Sequence, residues 1–417
     1  MLTRDSCRVC EAELDPVMSL GEQFVSDFPL PGHGDGTAAP LDLVLCRRCR
    51  LLQLRHTVPG ELMYRNYWYR SGTNQTMRDA LADIAHKAET LIHLKEGETV
   101  LDIGCNDGTL LASYETAGIT RIGVDPAENL AQHSRKVADH VIVGFFDPET
   151  FQADSRFGSL RPKIVTSIAM FYDLEAPRTF LAGIRQVMDP EGLWIVQMSW
   201  LPLMLREHEL GNICHEHLEY YSLRSFEYLL GLEGFEVIDV EVNTINGGSI
   251  RAYIRHKSAN PERFADPTYR ILAEARVESL RQEERALALD DMRPYDEFAF
   301  WAERIKNDVV SFTRAQVRDG KRVYVYGAST KGNTVLQYYG LDSSLITAAA
   351  ERNSEKWGRV TVGTHIPIIS EDQARAEKPD FFLVLPWHFL REFQERERPY
   401  LRSGGRFIVP APHFALI

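Results

Sequence analysis

The stretch Glu98-Thr99-Val100-Leu101-Asp102-Ile103-Gly104-Cys105-Asn106-Asp107-Gly108-Thr109-Leu110 admits few folds. Val100 to Ile103 form a short, mostly apolar run that breaks into a loop of glycines and small polar residues, and a helical pattern begins at Thr109. A strand, a tight turn and a helix start are predicted. At Gly104 such a turn lets a ligand approach the backbone where any side chain would collide, and it aims free helix-start N–H groups at that ligand. The spacing is not Gly-x-Gly-x-x-Gly and no Gly-Lys-Ser/Thr follows, so the ligand need not carry phosphate. Further on, Arg121-Ile122-Gly123-Val124-Asp125-Pro126 reads as a second strand with an acid at its tip, placed to accept two hydrogen bonds from a ribose diol. A nucleotide-like ligand is expected.

A chain of 417 residues should hold two or three domains, each with its own core. Its 47 Lys and Arg are scattered among 59 Asp and Glu, giving a net charge of −12, which disfavours nucleic-acid and anionic-membrane binding. No apolar run reaches the length of a membrane span, and Met1-Leu2-Thr3-Arg4-Asp5-Ser6-Cys7 lacks the apolar core of a signal peptide, so a cytoplasmic location is expected.

Four of the six cysteines fall in two pairs, Cys7-Arg8-Val9-Cys10 and Cys46-Arg47-Arg48-Cys49. Each pair places two thiols across a tight knuckle, and together they predict a closed, structural zinc site; a redox dithiol is the rival reading. The residues between them include Pro29, Pro31 and Gly32-His33-Gly34-Asp35-Gly36, from which an excursion loop is expected. The aromatic cluster Tyr64-Arg65-Asn66-Tyr67-Trp68-Tyr69 then precedes a helix from about Thr76 to His93; it either caps a core or turns a hydroxyl, Tyr69 foremost, toward substrate.

From Thr99 onward strand and helix alternate: 99–103, 109–117, 121–125, 127–137, 139–144, Lys163–Ala169, a helix at 176–188 and Leu193–Gln197. That pattern predicts a parallel sheet with crossover helices, whose ligands lie beyond the carboxyl ends of the strands. Phe145, Phe146 and Asp147 end the third strand, where an adenine would need an apolar sandwich and one acceptor; core packing is the alternative. A polar bend at Glu209-Leu210-Gly211-Asn212 leads to Ile213-Cys214-His215-Glu216-His217, ahead of a helix at 223–232. This is not His-Glu-x-x-His, and in a loop one imidazole oriented by a carboxylate suits a general base near neutral pH; surface histidines bonded to backbone are the plainer reading.

Strands 235–242 and 249–254 flank Asn246-Gly247-Gly248-Ser249, a hairpin that would add an antiparallel edge. A charged helical stretch from Pro267 to Arg318, broken near Pro294, reads as a solvated bridge. Val323-Tyr324-Val325-Tyr326-Gly327-Ala328-Ser329-Thr330-Lys331 then opens a second strand–turn–helix unit, with strands near 345–350, 380–385 and 406–409. Its loop could hold a diphosphate on backbone N–H groups, Ser329, Thr330 and Lys331, with Pro386-Trp387-His388 stacking on a base; a domain that only packs is the alternative.

In this order the motifs resemble those of the three-domain S-adenosylmethionine-dependent sugar C-methyltransferases of deoxysugar biosynthesis, whose central fold is the class I methyltransferase sheet of seven strands. The resemblance covers nearly the whole chain. It implies an α/β protein with a four-cysteine zinc lobe at 1–75, a cofactor domain at 76–260, a helical connector at 261–320 and a second Rossmann-like, substrate-binding domain at 321–417. It implies S-adenosylmethionine and structural zinc as cofactors, and a nucleotide-linked 4-keto-6-deoxy sugar as substrate, methylated on carbon through an enolate.

His217 corresponds to the family's base, with Glu216, His215, Tyr69 and Tyr172 beside it. Asp102, Gly104, Asn106, Gly108, Asp125, Phe145, Phe146, Asp147, Ser167 and Gln75 are candidates for the cofactor. Asn246, Ser249, Tyr221, Ser329, Lys331 and Asn333 are candidates for the substrate, and Cys7, Cys10, Cys46 and Cys49 for the metal. Members often carry tyrosine where this chain has Cys214, and histidine just after the fourth strand, where it has Met170-Phe171-Tyr172-Asp173. The sugar, the nucleotide and the oligomeric state stay open, monomer included. An O- or N-methyltransferase, a non-catalytic binding protein and a zinc-dependent enzyme of another kind are the competing readings.

Overall fold

The computed structural model describes residues 1–417, the side chain of His388 excepted. Two α/β sheets and a smaller antiparallel sheet carry the architecture. The central sheet has seven strands, in the order Phe235–Asn243, Ser249–His256, Leu193–Ser199, Ile164–Ile168, Thr99–Ile103, Thr120–Asp125 and His140–Val143. All neighbours are parallel except Ser249–His256, which runs antiparallel to both strands beside it. The chain order reverses direction between Thr99–Ile103 and Ile164–Ile168, and a ligand crevice opens at such a switch point.

The reason for this sheet lies in the residues. Thr99–Ile103 is buried at every position, as a strand covered on both faces must be. The helix Gln75–Ile92 starts where the Asn74 side chain accepts from the Thr76 N–H, and it lays Leu81, Ile84, Ala85, Ala88, Leu91 and Ile92 on the sheet. On the other face Phe171 packs against Phe180, Trp194, Tyr221 and Phe226. Each large apolar side chain buried there contributes about 1.5–3 kcal/mol.

Past the glycine loop the expected helix 109–117 is only a 3-10 turn, Leu111–Ser113. The Glu89 carboxylate accepts from the N–H groups of Glu115 and Thr116, which draws the chain away from a helical path. The helix expected at 127–137 shrinks likewise to Ala131–Ser134.

At the N-terminus the expected excursion loop is residues 25–37, with Pro29, Pro31 and the glycine run, and it joins the strands of a long antiparallel hairpin, Leu14–Phe24 with Ala38–Cys46, extended by Leu52–Leu54. A fourth strand, Glu219–Tyr220, comes from just after the His-Glu-His element and pairs with Leu52 and Gln53. The N-terminal lobe and the candidate catalytic loop are thus hydrogen-bonded into one sheet. The charged stretch also departs from a solvated bridge. Its two helices, Pro267–Ala286 and Arg293–Arg318, bury one face each, including Val277, Leu280, Phe298, Trp301 and Ile305. Buried Glu284 accepts from the N–H groups of Leu223 and Arg224 and from the Trp200 indole, docking the connector on the start of the helix Leu223–Leu232.

The third sheet runs Ile368–Ser370, Ala349–Glu351, Val323–Tyr326, Phe381–Val384, Arg406–Val409 and Ala415–Leu416, antiparallel only at the last strand. The loops at its own switch point, after Val323–Tyr326 and Phe381–Val384, reach the central crevice through Ser329 and Pro386.

Candidate active site

One cavity of about 370 Å³ lies where the three parts meet. Its wall includes Gly104, Asn106 and Asp125 from the central sheet, Tyr64, Tyr67, Tyr69 and Ser71 from the aromatic segment, Cys214, Glu216 and His217 from the loop, and Ser329, Thr330 and Lys331 from the C-terminal domain.

Gly104 has φ +78°, and a Cβ there would stand 2.9 Å from the Met170 side chain, so only glycine leaves this part of the cradle open. At the tip of the second strand, Asp125 accepts from Asn106 N–H at 2.7 Å and Ala127 N–H at 2.8 Å, and burial raises its carboxyl above the usual range. These bonds fix a carboxylate on the cavity wall, each oxygen keeping a lone pair for a further donor, the arrangement that holds a ribose diol. Gly144, Phe145 and Phe146 continue the wall, with Phe145 47% exposed as an open aromatic face. The donor set therefore fits a nucleoside cofactor.

Other cofactor candidates are placed elsewhere. Asp102 is buried behind the loop and accepts from the Thr166 hydroxyl at 2.6 Å. Gly108 packs on Ser134 and Val137, Ser167 accepts from the Trp194 indole, Asp147 caps the helix Pro148–Ala153, and Gln75 donates to Asp79. Each is engaged by a local partner, and none lines the cavity. Asn106 lines it and also acts as a clamp. Its side chain accepts from Ser71 N–H and donates to the Tyr69 carbonyl, while Asp107 accepts from Gly72 N–H. The glycine loop thereby holds the aromatic segment over the site. No local pattern in the chain links Asp107 to Gly72.

On the far side, His217 is buried with its Nδ1 2.9 Å from the Asn212 main-chain carbonyl, which orients it in place of the carboxylate expected from the sequence. A carbonyl only accepts, so the hydrogen sits on Nδ1 and Nε2 keeps its lone pair at the cavity wall. Burial, and then the Lys331 charge, push the imidazole down to about 3, so it is neutral at physiological pH. The Tyr172 ring lies 4.3 Å away, centroid to centroid. Burial holds the Tyr172 hydroxyl well above its ordinary range and pushes Tyr69 up to about 12, so both remain donors. Glu216 is buried, Asp173 beside it is half-buried, and both carboxyls are raised, Asp173 strongly, first by desolvation and then by the Glu216 charge. The buried Cys214 thiol is raised too, which excludes a ready thiolate.

Three residues of this group turn away from the cavity. His215 donates from Nε2 to the Ala39 carbonyl at 3.0 Å, on the N-terminal hairpin, because its neighbour strand has drawn it to that sheet. Tyr221 is fully buried between Phe171 and Phe226, and the Ser249 hydroxyl donates to the Ile245 carbonyl at 2.8 Å. Asn246 remains on the wall, and its carbonyl lies 3.5 Å from Lys331 Nζ.

In the C-terminal domain, Ser329 caps the helix Thr330–Tyr339 by accepting from Gly332 N–H, and Ser329 and Lys331 line the cavity. Asn333 points the other way and donates to the Asp27 carbonyl. Sequence reading missed Glu351, which ends the second strand of this sheet as Asp125 ends that of the first, and accepts from Ala328 N–H at 2.8 Å. It also missed His208, stacked on Trp301 at 4.3 Å and 15°, and the wall that both share with Tyr339 and Phe389, whereas Pro386 and Trp387 from the expected stacking loop do line the cavity. No local spacing relates positions so far apart. The side chain of His388 lies outside the described residues.

The four paired cysteines converge away from this cavity, their sulfurs within 4.8 Å of one another. Cys7 and Cys49 Sγ are 3.6 Å apart, and Cys10 and Cys46 Sγ 3.4 Å, against about 3.8 Å between sulfurs of a tetrahedral zinc site. Cys46 Sγ accepts from the N–H groups of Arg48 and Cys49, the knuckle geometry that favours thiolate, so the set fits zinc.

Comparison with known proteins gives three successive matches, the last beginning inside the central sheet, before the strand Ser249–His256. Residues 7–64 match a zinc binding domain, 69–240 a methyltransferase domain and 244–412 a C-methyltransferase C-terminal domain. The C-methyltransferase NovU of Streptomyces niveus is 32% identical over 414 residues, 98% of this chain and 96% of NovU. Among solved structures, the PH0226 protein of Pyrococcus horikoshii OT3 is 18% identical, with 45% of this chain and 95% of its own covered at a TM-score of 0.36. The 1,6-didemethyltoxoflavin-N1-methyltransferase of Burkholderia thailandensis, solved with S-adenosylhomocysteine, is 14% identical, with 45% and 81% covered at 0.34. Nothing about this chain rests on those two partial likenesses. Matched along nearly its whole length by NovU, and in succession by zinc binding, methyltransferase and C-methyltransferase C-terminal domains, the chain belongs to the C-methyltransferase family and is an S-adenosylmethionine-dependent enzyme with a structural zinc site.

Proposed function

We propose that the protein methylates a carbon next to the ketone of a nucleotide-linked 4-keto-6-deoxy sugar, with His217 as the general base. The observation that carries this reading is the buried imidazole of His217, held through Nδ1 by a main-chain carbonyl on the wall of the cavity that the Gly104–Asp125 cradle and the Ser329–Lys331 loop also line. A carbon acid beside a ketone needs one such base, and Nε2 takes its proton. The oxygen of the resulting enolate meets hydroxyl donors at Tyr172 and Tyr69, which favour its charge. S-adenosylmethionine, when bound in the cradle, supplies the electrophilic methyl group that the carbon takes.

Asp125 orients the ribose of the cofactor, and Gly144 to Phe146 border its base. Ser329, the N–H groups that start the helix Thr330–Tyr339, and Lys331 hold the diphosphate, while Trp387 and its aromatic neighbours flank the nucleobase. Closing three parts around one cavity excludes water and fixes the reacting carbons, and positioning of that kind supplies much of the rate.

The test is mass spectrometry of reactions in deuterated water with S-adenosylmethionine and thymidine-, guanosine-, cytidine- and uridine-linked 4-keto-6-deoxy sugars. A product one methyl heavier, with the methyl on carbon, is expected for one nucleotide. Neither methyl nor deuterium on any of them would move the acceptor outside the nucleotide sugars. His217→Ala is expected to abolish both transfer and deuterium wash-in with cofactor affinity nearly unchanged; undiminished turnover would refute the assignment of the base.

A further inference from the structure

Asn212 joins the two halves of the cavity. It ends the short 3-10 turn Leu210–Asn212, and at 1% exposed it is buried against both halves. Its main-chain carbonyl accepts from His217 Nδ1 at 2.9 Å and from the Tyr220 hydroxyl at 3.3 Å. Its side-chain Oδ1 accepts from Lys331 Nζ at 2.5 Å, and Lys331 belongs to the C-terminal domain. The turn lies so close to that domain that a Cβ on Gly211 would stand 3.3 Å from Lys331 Cβ. Glycine at 211 leaves this close approach unhindered, and an uncharged acceptor at 212 holds the ammonium without cancelling its charge.

We propose that Asn212 is a positioning residue that fixes His217 through its main chain and Lys331 through its side chain, setting the substrate's anionic group and its reacting carbon in one register. The inference rests on the reading of His217 as base. An ammonium is a point charge on a flexible four-carbon stem, and it fixes a diphosphate only if something fixes the ammonium. Asn212 does so from the same residue that aims the imidazole. The distance between the anchored diphosphate and the proton-accepting Nε2 is therefore set within a single residue rather than across a domain boundary.

The test compares Asn212→Ala, Lys331→Met and the double variant. Asn212→Ala keeps the carbonyl that holds His217 and removes the acceptor for Lys331. The expected result is a KM for the nucleotide sugar raised about tenfold and deuterium wash-in slowed at saturating sugar, with the KM for S-adenosylmethionine unchanged. The double variant is expected to be no worse than the poorer single one, because one link is broken in each. A lowered Tm with sugar KM and wash-in within twofold of the parent would overturn the proposal, as would losses that add in the double variant. If Asn212→Ala does not fold, Asn212→Ser, whose shorter side chain draws the acceptor back from Lys331, carries the same KM and wash-in comparison. Wash-in that persists in His217→Ala would instead defeat the assignment of the base, leaving the sugar KM of Asn212→Ala to decide the Lys331 link.

Discussion

The protonation of His217 gives a sharp prediction because its environment departs so far from water. An imidazole held at about 3 favours its neutral form by about 5 kcal/mol relative to an ordinary histidine near 6.5, at 1.36 kcal/mol per unit. The base is the neutral form, so activity that depends on it is present above the folded value and lost only as pH falls toward it. At pH 5.5 an ordinary histidine would be neutral in about 9% of molecules, and one at about 3 in more than about 99%. The assay is kcat/KM for the nucleotide sugar from pH 5.5 to 8, which reports the free enzyme. Circular dichroism at each pH guards against unfolding. No tenfold fall centred near 6.5 is expected. Such a fall, if it persists in Glu216→Gln and Asp173→Asn, which remove the neighbouring raised carboxyls, would refute the argument that burial and Lys331 keep this imidazole neutral.

Asp125→Ala removes the acceptor at the tip of the second strand and should raise the KM for S-adenosylmethionine about tenfold or more, leaving that for the nucleotide sugar unchanged in steady-state kinetics. Elemental analysis should find one zinc per chain, and Cys10→Ser should lose it together with roughly 5–10 °C of Tm by calorimetry, since a closed four-thiolate site contributes folding energy rather than chemistry. Burial pushes the Asp102 carboxyl up to about 7 from 3.8, so native stability is lost as pH rises between these values, about 1.5 kcal/mol by pH 5 and about 4 by pH 8. Urea unfolding of Asp102→Asn should therefore improve against the parent by about 2.5 kcal/mol between pH 5 and pH 8; an offset that does not change with pH would show the carboxyl to be unperturbed.

The sites differ in how they were assembled. The zinc cluster is closed by two local knuckles brought together across one hairpin. The cavity needs three parts of the chain at once, and its polar groups are engaged in pairs: Asn106 with Ser71, Asp125 with Ala127, Asn212 with Lys331. Buried polar groups must be partnered, so the same bonds that satisfy them also set which side chains remain free to meet a ligand.

The sequence by itself determined what neighbours along the chain decide. The alternation of apolar runs with Gly and Asp turns dictates the strand at Thr99–Ile103, the open turn at Gly104 and the acid at Asp125, because turn chemistry and periodicity act over a few residues. The cysteine knuckles and the helix Leu223–Leu232 were legible for the same reason. Where a local pattern met a tertiary competitor, the competitor won: Glu89 captures the backbone at Glu115 and Thr116, and the helix expected after Gly108 stops at one turn. Only the tertiary structure decided which way the loop side chains face. His215 and His217 are two residues apart and chemically identical, yet one bonds the Ala39 carbonyl and leaves the cavity while the other bonds Asn212 and lines it. Their fates differ because the carbonyls that receive them come from different parts of the fold. A buried imidazole must go where its acceptor is, and no pattern of neighbouring residues specifies where that acceptor lies.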